Sequence, residues 1–230
     1  MTFPEDLKPT VDYVLVDDEP LHVQRWRSTN VRLVCVQFPV HTTSLWHQHL
    51  NYGVYVVMAP LNVTEQSYGS AVKPLIQDRG AVFCRDHTKD HLLHVVTTTD
   101  SPLFIVEVEL LKPKADLKPH TDIPIHAAKG VELLNDEPEC RVYRLTMEKD
   151  SPNEAASEIT LTLPTEAVLL AVADCIVKVN NTTVSGEQND FVQHLKVGDD
   201  IVLSEGQFDI ELVGEAGQTA TALFILTEVY

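Results

Sequence analysis

His47-Gln48-His49 places two imidazoles one residue apart in Thr43–Val57, a run rich in aromatic and β-branched residues. Such a run reads as β-strand. Side chains on a strand alternate between faces, so His47 and His49 project together from one face. Two imidazoles on one rigid strand are half of a site for a divalent transition metal (Fe, Zn, Ni, Cu or Mn). If the alternation continues, Gly53, Tyr55 and Val57 share that face. Gly53 would leave space beside the ion. Tyr55 would bring a phenol that donates a hydrogen bond or transfers a proton, and it is the candidate catalytic residue. Trp46 would point outward, against the other half of the chain or a partner subunit in a homodimer.

The remaining composition narrows the partners. The chain has 230 residues, enough for one large or two small domains, and a formal net charge of -17. Nucleic acids and anionic membrane surfaces need a basic footprint, so neither is an expected partner. A small molecule is. The first residues carry no basic and apolar leader, and no apolar run is long enough to span a bilayer. The four cysteines (Cys35, Cys84, Cys140, Cys175) are far apart and lie in strand-like runs. They are expected as reduced, buried thiols in a cytoplasmic protein.

The elements that must position the histidines are short strands. Val31–Phe38, Leu103–Leu110 and Ile201–Leu203 are β-branched or apolar runs bounded by turn residues, and convincing helices are scarce. Ser151–Ser157 reads as a single helical turn or a loop. Many short strands at close spacing predict an all-β sandwich or barrel. The pattern also repeats. Arg32–Val36 resembles Arg141–Leu145, Gly53–Val57 resembles Ala167–Ala171, Gly80–Phe83 resembles Gly198–Val202, and Leu103–Val106 resembles Leu223–Leu226. The order is kept while the offset widens slowly, as loop insertions in a tandem duplication would cause. Between the halves, residues 112–124 contain three prolines and several charges, marking a linker or a crossing segment. The expected division is 1–112, a linker at 113–129, and 130–230.

The His-x-His pair, the following strand and the later Gly80-Ala81-Val82-Phe83-Cys84-Arg85 strand together resemble the cupin superfamily. The likeness is to a two-barrel bicupin built from antiparallel jelly rolls. The resemblance implies a metal held by the His pair, a glutamate and a third histidine. Here the glutamate position falls on Gly53, and Asp86-His87-Thr88 replaces the Pro-x-Gly turn. Counting forward from Gly80 at the family spacing puts the third ligand at His91. Counting back from Thr99-Asp100-Ser101-Pro102 puts it at His94, which begins the strand-like Val95–Thr99 and is preferred. A helical face formed by His87, His91 and His94 is disfavoured by that β-branched run.

Three neutral imidazoles without a carboxylate leave a divalent ion its full charge, which suits a small anionic molecule. The ligand set resembles that of three-histidine Fe(II) dioxygenases. A metal-assisted isomerase or lyase and a non-catalytic binding or sensor module are the competing expectations. No carboxylate is assigned as a general base, since Glu65 and Asp86 have no defined position in the sequence pattern. In the second half His47 maps to Leu161 and His49 to Leu163, and the third-histidine region maps near Glu211–Gly214. That barrel is expected to be degenerate and aliphatic inside.

Overall fold

A computed structural model describes residues 9–113, 116–117, 120–149, 157–183, 188–213 and 220–230. Most of the turn expected at Ser151–Ser157 lies outside these residues. The chain divides into two compact units, Met1–Leu111 and Lys112–Tyr230.

The first unit contains β1 (Val14–Leu15), β2 (His22–Arg27), β3 (Val31–Phe38), β4 (His47–Gln48) and β5 (Tyr52–Val57). They are followed by β6 (Leu61–Ser67), β7 (Lys73–Gln77), β8 (Val82–Asp86), the helical turn α1 (His87–Asp90), β9 (Leu93–Thr98) and β10 (Leu103–Leu110). Two five-stranded sheets result, ordered β1-β4-β9-β6-β7 and β2-β3-β10-β5-β8. The expected barrels are therefore pairs of sheets rather than closed cylinders, because the hydrogen-bonded ladders stop at β1 and β7 on one sheet and at β2 and β8 on the other. The strand β10 is central, pairing antiparallel with β3 and β5. Its inward residues change character along the strand. Leu103 and Ile105 join an apolar core with Val36, Phe38 and Val57, whereas Glu107 and Glu109 are buried carboxylates.

The second unit contains β11 (Val131–Glu137), β12 (Cys140–Lys149), β13 (Glu158–Leu163), β14 (Ala167–Ala171) and β15 (Cys175–Thr183). Then come β16 (Gln188–Leu195), β17 (Asp200–Leu203), β18 (Gly206–Leu212) and β19 (Ala220–Val229). Its sheets are ordered β11-β12-β19-β14-β17 and β13-β18-β15-β16. The four sequence matches fall on strands of equivalent position. Substituting β11, β12, β19, β14 and β17 for β2, β3, β10, β5 and β8 turns one five-stranded order into the other. The turns agree as well. Gly80 N–H donates to the Val57 carbonyl and Gly198 N–H to the Ala171 carbonyl, both at 2.8 Å. Both glycines adopt a positive φ, 81° and 87°, where a side chain would strain the backbone.

The segment between the halves belongs with the second unit. His120 stacks on Tyr230 at 4.2 Å, His126 Nε2 lies 2.7 Å from Glu228 Oε1, and Arg141 donates to the Ile123 carbonyl at 2.8 Å.

Leu161 and Leu163 are buried in an apolar core with Phe208, Ile210 and Phe224. The Leu161→Ala substitution leaves a cavity and is expected to lower unfolding free energy by about 2–5 kcal/mol in a denaturant titration.

Candidate metal centre

Register brings the first two histidines together. In the β4–β9 ladder His47 stands directly opposite His94. Opposed residues on antiparallel strands hold their Cβ atoms about 5 Å apart, so the two rings meet. The backbone N–H of His49 donates to the Leu92 carbonyl at 2.8 Å, which continues the same alignment past the end of β4. His94 Nε2 lies 2.9 Å from His47 Nε2 and 3.2 Å from His49 Nε2. His47 and His49 are buried, and His94 is largely so.

The other ring nitrogen of each histidine decides what these contacts are. His47 Nδ1 is 2.9 Å from the Leu45 carbonyl and His94 Nδ1 is 3.0 Å from Glu65 Oε1. A carbonyl and a carboxylate only accept, so each Nδ1 carries the hydrogen and each Nε2 presents a lone pair. The Nε2 atoms of His47 and His94 therefore face each other as two acceptors and need a cation between them. A proton would meet that need by charging an imidazole. Burial, followed by the positive charge of neighbouring imidazoles, pushes His47 and His49 well below the ordinary histidine range. A metal ion meets the same need. Metal–nitrogen bonds of about 2.1 Å separate adjacent ligand atoms by about 3 Å, the spacing seen here.

His22, which carries no motif in the sequence, reaches the cluster from β2 in the other sheet. One nitrogen from each of His22, His47 and His49 falls within 4.8 Å of the others. The His22 ring centroid is 4.5 Å from that of His47, and its Nδ1 is 2.7 Å from Glu19 Oε2. Burial raises the Glu19 pKa, but its hydrogen bonds to His22 and to the Leu21 and Leu45 N–H groups outweigh that, leaving the group below the usual carboxylate value. Glu65 is likewise held low, first by its hydrogen bond to His94.

The two candidates for the third position separate cleanly. Asp86 Oδ1 accepts from Thr88 N–H at 3.1 Å and caps α1. His91 ends that turn in the left-handed conformation, with φ of 40° and its N–H donating to the His87 carbonyl. The chain then enters β9, and His94 is the residue brought to His47 and His49. Among the described residues, the ring contacts around the centre involve His22, His47, His49, His87 and His94 and do not include His91.

Tyr55 faces inward, with its hydroxyl 3.2 Å from His49 Nδ1 and its ring stacked on Phe83 at 5.0 Å. It also corrects the expectation about Gly53. A Cβ at Gly53 would lie 2.8 Å from Tyr55 Cε2 and 2.9 Å from its hydroxyl oxygen, so the tyrosine ring already fills the space. A glutamate at that position would have to displace Tyr55. Trp46 packs edge-on to Tyr68 of its own unit at 6.2 Å.

Glu107 stands opposite Tyr55 in the ladder, and its Oε1 is 3.3 Å from His49 Nδ1. Neither of its oxygens completes a well-formed hydrogen bond, and burial pushes its pKa up. Arg32 pairs with Glu109 at 2.5 Å and also contacts Asp17. Burial and the charge of Glu107 raise Glu109 to about 7, against the pull of Arg32. The sequence did hold a signal for these two acids. They share the parity of Leu103 and Ile105 on a central strand, where an inward carboxylate is unusual.

A cavity of about 130 Å³ opens beside the imidazoles. Phe38, Val96, Leu103 and Ile105 give it apolar walls, and Arg85 lies over the Phe83 ring at 5.6 Å. An apolar protein cavity of about 150 Å³ holds benzene, so the space suits a comparably compact molecule.

In the second unit Leu161 stands opposite Phe208, as His47 stands opposite His94. The counterpart of the third histidine is thus Phe208 and not a residue in Glu211–Gly214. Among the described residues, two groups of side chains are spaced to hold an ion, His22-His47-His49 and His49-Glu107-Glu109; both lie in the first unit and neither includes His94.

No family model matches the sequence, and no curated protein matches it. Solved structures do. A cupin 2 conserved barrel domain protein from Leptotrichia buccalis aligns with a TM-score of 0.52 at 12% identity, over 90% of this chain and 88% of that one. Oxalate decarboxylase of Lactobacillus farciminis, in a formate complex, aligns with a TM-score of 0.58 at 11% identity, over 88% and 78%. Salicylate 1,2-dioxygenase of Pseudaminobacter salicylatoxidans aligns with a TM-score of 0.53 at 14% identity, over 87% and 71%. The fold is that of a bicupin. Within the bicupin fold the histidine cluster occupies one unit, and the other keeps the ladder with an apolar filling. Among the described residues, no helix is long and apolar enough to cross a membrane.

Two outcomes test this geometry. The Gly53→Ala variant is expected to be destabilised by about 1–3 kcal/mol in denaturant titration, because its methyl group must push the Tyr55 ring aside. The second concerns His87, whose ring is 5.6 Å from that of His49 and whose buried Nε2 has no hydrogen-bond partner. Burial lowers its pKa to about 4. The unfolded chain then binds more protons between about pH 6.5 and 4, so this group's stabilising effect is present above that window and is lost as pH falls through it. Metal-free wild type should lose more in thermal melting between pH 7 and 5 than His87→Phe does.

Proposed function

We propose that the chain is a metal-binding bicupin acting on a small anionic molecule, in the manner of three-histidine Fe(II) dioxygenases. His47, His49 and His94 hold the ion. The observation that carries this reading is the approach of the His47 and His94 Nε2 lone pairs to 2.9 Å, which a cation relieves. A bound divalent metal supplies Lewis acidity and, if it is iron, redox chemistry with O2. The protein residues divide the remaining work. Neutral imidazoles leave the ion its charge, which favours an anionic group. Arg85 adds a guanidinium at the cavity wall, where it orients that group. Phe38, Leu103 and Ile105 exclude water from the apolar body of the ligand. Tyr55 holds a proton on its hydroxyl, since burial and the neighbouring Glu107 raise its pKa well above the ordinary value. Its hydroxyl oxygen lies 3.2 Å from His49 Nδ1, whose N–H it accepts when His49 Nε2 holds the ion. The names of two aligned proteins, an oxalate decarboxylase and a salicylate dioxygenase, refer to small carboxylates and agree with such a ligand.

Elemental analysis of the purified protein tests the reading. One transition metal per chain is expected in wild type and in His91→Ala, with loss in His47→Ala and in His94→Ala. Oxygen uptake by the iron-loaded protein should then appear with a member of a panel that includes salicylate, gentisate and oxalate. A wild type that takes up no metal when supplied with Fe(II), Zn(II) or Cu(II) would sink the proposal.

A further inference from the structure

The three-histidine reading leaves His22 unexplained. It lies on an edge strand, is held by a carboxylate, and brings one ring nitrogen within 4.8 Å of those of His47 and His49. Resting on that reading, we propose that His22 is a fourth ligand of the centre, supplied by the opposite sheet in place of the carboxylate that Gly53 lacks.

Three observations converge. Glu19 Oε2 accepts from His22 Nδ1 at 2.7 Å, so the lone pair lies on Nε2, as in His47 and His94. One ligand nitrogen of His22 lies within 4.8 Å of those of His47 and His49, and its ring centroid is 4.5 and 5.8 Å from theirs. Glu19 is also fixed from both sides. It accepts from Leu21 N–H at 2.7 Å and from Leu45 N–H at 3.3 Å, and the Leu45 carbonyl in turn holds His47 Nδ1. One buried carboxylate therefore links the anchors of two imidazoles that come from different sheets. Side chains behind metal-binding histidines commonly do this, fixing tautomer and ring orientation.

The alternative is that His22 simply packs, with its hydrogen bond to Glu19 satisfied. Packing alone does not require its remaining lone pair to sit among two other imidazole nitrogens in a buried pocket. A fourth ligand also has a chemical consequence. A six-coordinate ion with four protein nitrogens keeps two positions, which suits one bidentate ligand or two monodentate ones. The carboxylates Glu19 and Glu65 then stand one shell behind the ion, orienting imidazoles rather than neutralising the metal directly.

The test uses the intact protein and the His22→Gln variant, which keeps a hydrogen-bonding side chain of similar size. Zn(II) affinity is measured by competition with a chelating dye, and Cu(II) serves as the spectroscopic probe. Loss of an outer hydrogen-bond partner costs about 10–100-fold in metal affinity, so loss of a ligand should weaken Zn(II) binding at least about tenfold. The electron paramagnetic resonance spectrum of Cu(II) should change from a four-nitrogen to a three-nitrogen pattern. Thermal melting of both metal-free proteins checks folding. If the glutamine variant does not fold, Glu19→Gln should show weaker Zn(II) binding with the four-nitrogen pattern retained, and unchanged binding there would count against the assignment. Unchanged affinity and spectrum in His22→Gln would overturn the fourth ligand while leaving the three-histidine centre in place. A wild type that binds neither ion would overturn the centre itself.

Discussion

Two nitrogen lone pairs held 2.9 Å apart repel each other, and much of the first unit is organised around keeping them there. The β4–β9 register sets His47 opposite His94. The Leu45 carbonyl and Glu65 take up the Nδ1 hydrogens, so neither ring can turn its donor toward the other without giving up its anchor. Such an arrangement is costly without a cation and favourable with one.

The absence of a carboxylate ligand is built into the packing. Gly53 makes room for the Tyr55 ring, Tyr55 stacks on Phe83, and Glu107 faces Tyr55 across the ladder. Each depends on the one before, so a single substitution at Gly53 cannot restore a glutamate ligand. Negative charge is not missing from the region; it lies behind the imidazoles, at Glu19 and Glu65, both held below the usual carboxylate value. The second unit shows what the same ladder does without polar side chains. Leu161 and Phe208 meet where His47 and His94 meet, and the interior becomes continuous apolar core.

Much of this was legible from short-range pattern. Alternation on a strand put His47 and His49 on one face, and the ordered repeats announced two similar units, but the strand does not run on to Tyr55, which stands on β5 of the other sheet and meets His49 across the interior. The choice between His91 and His94 was harder because two counting rules disagreed. It turned on a local feature, the Asp86 cap and the one-turn helix that ends at His91. His22 could not be found this way. It has no partner at a telling spacing, and its role depends on β2 lying across from β4 in another sheet. Glu107 and Glu109 were visible as acids of inward parity, but their partners Arg32 and Tyr55 lie on neighbouring strands.

The sequence by itself determined the all-β class, the tandem repeat, the shared face of the histidine pair and the loss of those histidines from the second half. These follow from periodicities of a few residues and from ordered matches along the chain. Tertiary structure alone decided that sheets face one another without closing, that Tyr55 fills the space over Gly53, and that His22 joins the cluster. Those outcomes depend on which strands become neighbours and at what register. Contacts between residues far apart in sequence leave no local period, so only the folded chain reveals them.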